Sequence, residues 1–217
     1  MSSTSAVVAN KRRGPGRPGT TTPTVPADAE ILRVGLETFA ELGFDATTVR
    51  ELARRLGVSH NFINDRFGNK EHFWRAVVDD ALGADLHRGL TDVLGARHPT
   101  ELDRLTAVIR FVVRRANPLL HQMMSDEAMR PSTRMDYIVQ KDLQPMILGL
   151  TPVLAALERD GVIRPVPWTV LLFLMSAPSH VHAQGPLVQA LGESLPDDLD
   201  TTELFTSLIL NALRPPT

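Results

Sequence analysis

At 217 residues, with 43% hydrophobic and 22% charged side chains, the chain carries enough apolar material for a real core and room for one ordinary domain plus a small one. It has no cysteine, which excludes disulfides and thiolate metal sites and suits a cytoplasmic setting. No apolar run approaches the roughly 18–20 residues a membrane span needs, and the N-terminus lacks a signal peptide's apolar segment.

The net charge of −2 hides an asymmetry. Residues 1–70 hold ten Lys/Arg against seven Asp/Glu, whereas residues 71–217 hold thirteen against eighteen. A basic N-terminal part on an acidic remainder fits a nucleic-acid end and a different, non-nucleic-acid end. Residues 1–27, rich in Ser, Thr, Gly and Pro, carry four positive charges and no acid, and read as a disordered basic arm. Within it, Arg12 and Arg13 precede Gly16-Arg17-Pro18, the core of a minor-groove hook without its lysine-rich flanks. A plain electrostatic tail is the simpler reading.

The first predicted helix starts around Pro26–Asp28, carries Leu32, Leu36, Phe39 and Ala40 as its stripe, and stops at Gly43. Val49, Leu52, Ala53 and Leu56 follow at i, i+3, i+4, i+7. Thr48 with Glu51 has the spacing of a capping box, and Gly57 sits where a left-handed residue ends the helix. Ser59 is placed to cap a second helix, Ser59–Phe67, with Ile63 and Phe67 inward. Two helices crossing at a glycine turn make a helix-turn-helix, whose second helix is shaped to enter a DNA major groove.

Lys70 opens a longer predicted helix running to about Leu94. Thr100 caps a segment with Leu102, Leu105, Ile109, Val112 and Val113, and Asn117-Pro118 starts a short helix to about Ser125. Ser132–Asp160 is helical but interrupted at Pro145 and Pro152. Pro167–His182 and Thr201–Leu213 close the chain as two strongly apolar helices separated by a loop. No strand-like alternation competes. The expected fold is all-α: a three-helix unit with the helix-turn-helix at 28–73 and a helical remainder at 74–217.

Residues 28–73 resemble the TetR (tetracycline-repressor) family of bacterial regulators. The resemblance rests on Phe39-Ala40-Glu41-Leu42-Gly43-Phe44, Thr47-Thr48-Val49-Arg50, Leu52-Ala53, Gly57-Val58-Ser59 and Phe67 with Lys70-Glu71. It implies a homodimer on a two-fold operator, with a divergent C-terminal domain that binds a small molecule and releases the DNA. Carried onto this chain, it implies that His60, Asn61 and Phe62 face base edges, with Thr48, Arg50 and Ser59 beside them and Lys70 on phosphate. Asn64 and Arg66 are also expected DNA contacts, although the chain departs from the family there: a tyrosine on the phosphate backbone is usual at Asn64, where the shorter amide must serve or nothing does, and aromatic residues or histidine are common at Asp65 and Arg66. An acid near phosphate is tolerable if it faces Arg66, Arg54 or a cytosine amine.

In the second half, Phe111, His121, Met124, Tyr137 and Phe173 are the candidate ligand contacts, since thioethers, aromatics and a few polar handles suit an adaptable apolar pocket. Leu171, Leu174, Met175, Leu204 and Leu208 crowd the last two helices. A helix apolar nearly all round needs cover on every side, and a second copy of the chain is the economical cover. His180 and His182, two apart, point away from each other on a helix and share no metal. Whether His121 meets His180 is open. Ser176, Ser179 and His180 lack an acidic orienter, so no enzyme is read here. No cofactor is expected. The expected function is a repressor released from palindromic operator DNA by an apolar or amphipathic effector. The alternative is a regulator without a ligand, its C-terminal domain serving only dimerisation or a protein partner.

Overall fold

The computed structural model describes residues 26–83, 85–192 and 200–216, all of whose regular elements are helical. The basic arm, with Arg12, Arg13 and Arg17, lies outside the described residues. Helix α1 (Asp28–Ala46) is broken where expected, at Gly43, whose φ of 74° and ψ of 166° are open to glycine without strain. Helices α2 (Val49–Leu56) and α3 (Phe62–Phe67) follow across Gly57, left-handed at φ 66°. Ile31, Phe39, Leu52 and Ile63 are fully buried where the three helices meet α4 (Lys70–Leu82).

The expected long helix after Lys70 is two helices. Gly83, at φ 77° and ψ 134°, ends α4, and α5 runs Asp85–Gly95. A lone glycine inside an apolar pattern does not announce itself as a break. Helix α6 (Glu101–Arg114) begins at a full capping box, with the Asp103 amide donating to Thr100 and the Asp103 carboxylate accepting the Thr100 amide. Helix α7 (Pro118–Ala128) is capped by Asn117 and runs a turn past Ser125. Helix α8 (Thr133–Ile138) passes through a π-helical turn, Val139–Leu143, into α9 (Gln144–Arg159). Pro145 falls in the first turn of α9, where its missing N–H costs nothing. Helices α10 (Trp168–Ala183) and α12 (Thr201–Leu213) enclose a short α11 (Gly185–Ala190) in the stretch read as a loop.

The apolar interior forms two clusters. One joins α6, α9, α10 and α12 around Leu105, Ile109, Leu150 and Leu171. The other belongs to α1–α4 but continues into the second half through Leu120, Met123 and Ile138. Helix α7 therefore packs on α1 as well as on α10. No helix among the described residues is long and apolar enough to cross a membrane.

Candidate nucleic-acid interface and effector cavity

Glycine at 57 lets α2 turn sharply into α3, so that the start of α2 and the outer side of α3 share one surface. Val49, Arg50, His60 and Asn64 line a groove there. Thr48 accepts the Glu51 amide at 3.1 Å, but the reciprocal half of the expected box is absent. The Glu51 carboxylate instead accepts from Arg54 at 2.7 and 2.8 Å and from Arg55 at 2.8 Å. Those two hydrogen-bonded guanidiniums pull its pKa down to about 2. Guanidinium donors outcompete a single amide for a carboxylate.

Helix α3 starts at Phe62, not Ser59: Ser59, His60 and Asn61 form a preceding turn in which the Phe62 amide donates to the Ser59 carbonyl. Ser59, His60, Asn61 and Asn64 are exposed. Phe62 is half-buried against the core of α1–α4 rather than projecting freely. Its apolar ring gains more from that contact than from water.

Positive charge on this face is mostly committed. Arg33 pairs with Glu37, Arg54 and Arg55 with Glu51, Arg55 also with Glu41, and Arg66 with Asp28 at the start of α1. Lys70, expected on phosphate, has turned inward. Its Nζ donates to the carbonyls of Phe44 and Thr47, both at 2.8 Å, and lies 4.1 Å from the centre of the Phe44 ring. Burial pushes its pKa down, and the carbonyls freed by the break at Gly43 give the ammonium its partners. Arg50 is exposed and has no partner among the described residues, and neither has Asp65. Sequence reasoning could rank Arg50 only by position; its availability follows from the pairing of its neighbours.

In the second half, a cavity of about 160 Å³ opens between α6, α7, α9 and α10. His121 and Met124 line it from α7, and Leu172, Met175, Ser176 and Ser179 from α10. The rings of His121 and His180 meet, with centres 3.7 Å apart. Burial, and then His180, push the His121 pKa down. The Ser125 hydroxyl lies 3.2 Å from His121 Nε2.

Three expected ligand contacts are elsewhere. Tyr137 donates to Asp79 at 2.7 Å and accepts from Lys141 at 2.8 Å, tying α8 to α4. Phe111 packs on the core under the Arg115 guanidinium. Phe173 is 63% exposed, one helical step round α10 from the cavity face. Of the expected dimer residues, Leu171 and Met175 are buried in the chain's own core and have no surface to offer a partner. Leu208 is 52% exposed, and Leu174 and Leu204 are half-buried.

This arrangement has relatives. Residues 31–77 match the family described as bacterial regulatory proteins, tetR family. Residues 31–77 are thus similar to the DNA-binding domain of that family. It is similar to the HTH-type transcriptional regulator RutR of Escherichia coli K12, 25% identical over 193 residues covering 85% of this chain and 89% of that one. Among solved structures it superposes on the ketosteroid transcriptional regulator KstR2 of Mycobacterium tuberculosis with a TM-score of 0.60 at 19% identity, covering 88% of this chain and 98% of that one. AibR, in complex with isovaleryl coenzyme A and operator DNA, gives 0.58 at 17% identity, covering 87% and 98%. At such identities these structures establish the TetR-type fold alone. Together, the matched domain and the curated relative support a DNA-binding transcriptional regulator.

Proposed function

We propose that the chain is a homodimeric cytoplasmic repressor, released from a palindromic operator when a small apolar or amphipathic effector enters the cavity beside His121. Residues 28–73 are the reading unit and 74–217 the sensing and pairing unit. Arg50, His60, Asn61 and Asn64 present the reading surface, with Thr48 and Ser59 at its edge. The arm residues Arg12, Arg13 and Arg17 add sequence-independent attraction to phosphate.

One observation carries this reading. Helix α7 lines the cavity with His121 and Met124, while its Leu120 and Met123 sit in the core shared with α1. A ligand that shifts α7 therefore shifts a helix of the reading unit, because packed interiors transmit displacement rather than absorb it. AibR, a relative by fold, carries both an acyl coenzyme A and operator DNA, which agrees with a two-site device. Pairing through α10 and α12 is supported by the exposed Val170, Phe173 and Leu208.

Coupling between two sites is reciprocal. Once an operator has been selected from random DNA, and an effector found by its stabilisation of the protein, each ligand must weaken the other by the same factor. Equal effector affinity with and without operator would sink the proposal.

A further inference from the structure

The cavity beside His121 is the middle of a longer passage. A compartment of about 350 Å³, bounded by Gly83 and Pro118, shares Leu82, Leu86, Arg115, Asn117 and Leu120 with it. On the other side a compartment of about 140 Å³, bounded by Ile147 and Trp168, shares Met146 and Leu172 with it. The two ends differ in chemistry.

Among the described residues, Arg115 is the one charged side chain that lines the mouth. Arg115 is exposed there, 4.7 Å from the centre of the Phe111 ring, and no carboxylate pairs with it among the described residues. Asn117 uses its side-chain carbonyl to accept the Leu120 amide at 3.1 Å, which leaves its NH₂ as a donor. The N-terminus of α7 opens at the same place and adds its partial positive charge. The far end is walled by Leu143, Met146, Ile147, Trp168 and Leu172, with Thr169 the one polar side chain. Between the ends, Met124 and Met175 supply flexible thioethers that adapt to an apolar chain.

We infer that the passage takes an elongated amphipathic anion, its acidic head on Arg115 and Asn117 and its apolar body running past His121 to Trp168. A guanidinium stacked on an aromatic ring and lacking a carboxylate is a ready partner for carboxylate or phosphate oxygens. The far compartment offers a hydrocarbon tail a place out of water. This rests on the reading of the cavity as the effector site, and adds the class of effector.

The test uses the full-length protein and three ten-carbon probes: decanoate, decanol and decyltrimethylammonium. Decanoate is expected to bind about tenfold more tightly than decanol, the free energy of one well-formed charge contact. R115Q should bring the two within about threefold of each other by weakening decanoate far more than decanol, and R115K, which keeps the charge but not the planar fork, should restore part of the preference. R115E should favour the cationic probe. Decanoate brominated at its last carbon should quench Trp168, with a W168F variant as control; Trp74, fully buried in the core of α1–α4, should be spared.

Equal binding of decanoate and decanol, no binding of either, or discrimination that survives R115Q would each overturn the inference. Binding with the expected discrimination but without any effect on operator affinity would leave it standing and remove the effector reading instead.

Discussion

The guanidinium of Arg134 lies 3.6 Å from the centre of the Phe44 ring. Lys70 covers the same ring, so the last turn of α1 carries a phenyl group between two cations. Arg134 is held in place by Glu127, at 2.8 Å, with side-chain exposures of 15% and 8%. Glu127 stands on α7 one turn beyond Met124, and also accepts from Ser132 at 2.8 Å. The helix lining the cavity and the end of α1 are thereby joined by a nearly dry ion pair and a stacked ring.

Removing one partner of such a pair strands a buried charge. Arg134→Ala is expected to cost about 3–5 kcal/mol in urea denaturation, because Glu127 loses its counter-charge. The double variant E127Q/R134M should recover most of that loss. A double variant as unstable as the sum of the singles would show that the two side chains act independently.

Lys70 and Arg50 should separate stability from DNA binding. Lys70→Met deletes two hydrogen bonds to the end of α1 and is expected to cost about 2 kcal/mol of stability. It should leave the salt dependence of operator binding nearly unchanged. Arg50→Ala should do the reverse: little change in stability, and either relaxed preference at one base pair, worth roughly 1–3 kcal/mol, or a salt slope reduced by about one. A lower salt slope with Lys70→Met would mean that the ammonium swings out to phosphate on binding.

His121 predicts a pH response. Its folded pKa is depressed, first by burial and then by His180, so the folded chain binds fewer protons there than the unfolded chain. The contribution is favourable above the unfolded value of 6.5, and is lost as pH falls from there through the lower folded pKa. The melting temperature should therefore fall as the pH drops below about 6.5, with a smaller drop in H121N. The same slope in H121N would assign the effect to another group.

Gly35 lies where α1 packs tightly on Phe73 and Val77 of α4. A methyl group there would lie 2.6 Å from Val77 Cγ2 and 2.7 Å from Phe73 Cζ, both in fully packed side chains. Gly35→Ala should lower stability by about 1–3 kcal/mol despite the better helix propensity of alanine. V77A in the same chain removes one of the two clashes, so the double variant should lose less than the two single variants summed; strict additivity would contradict this packing.

Much of the fold was legible residue by residue. The stripe from Val49 to Leu56, the Thr48 cap, the glycines at 43 and 57 and the Pro118 start all act within a turn or two of themselves. The break at Gly83, the start of α3 at Phe62 and the existence of α11 were not, since each depends on how a short segment packs rather than on its own pattern. Among site residues the same division holds. That Arg50, His60 and Asn64 share one surface was implied by the family resemblance and not by spacing, and the inward turn of Lys70 and the burial of Leu171 and Met175 could be read from neither.

By itself, then, the sequence determined an all-helical chain with a helix-turn-helix near its start, because helix periodicity, caps and turn glycines are local physics. The tertiary structure alone decided which cations stay free, which histidines touch and where the cavity runs. Those are properties of pairs such as Lys70 with Phe44 and His121 with His180, whose members lie far apart in the chain and meet only when the helices pack.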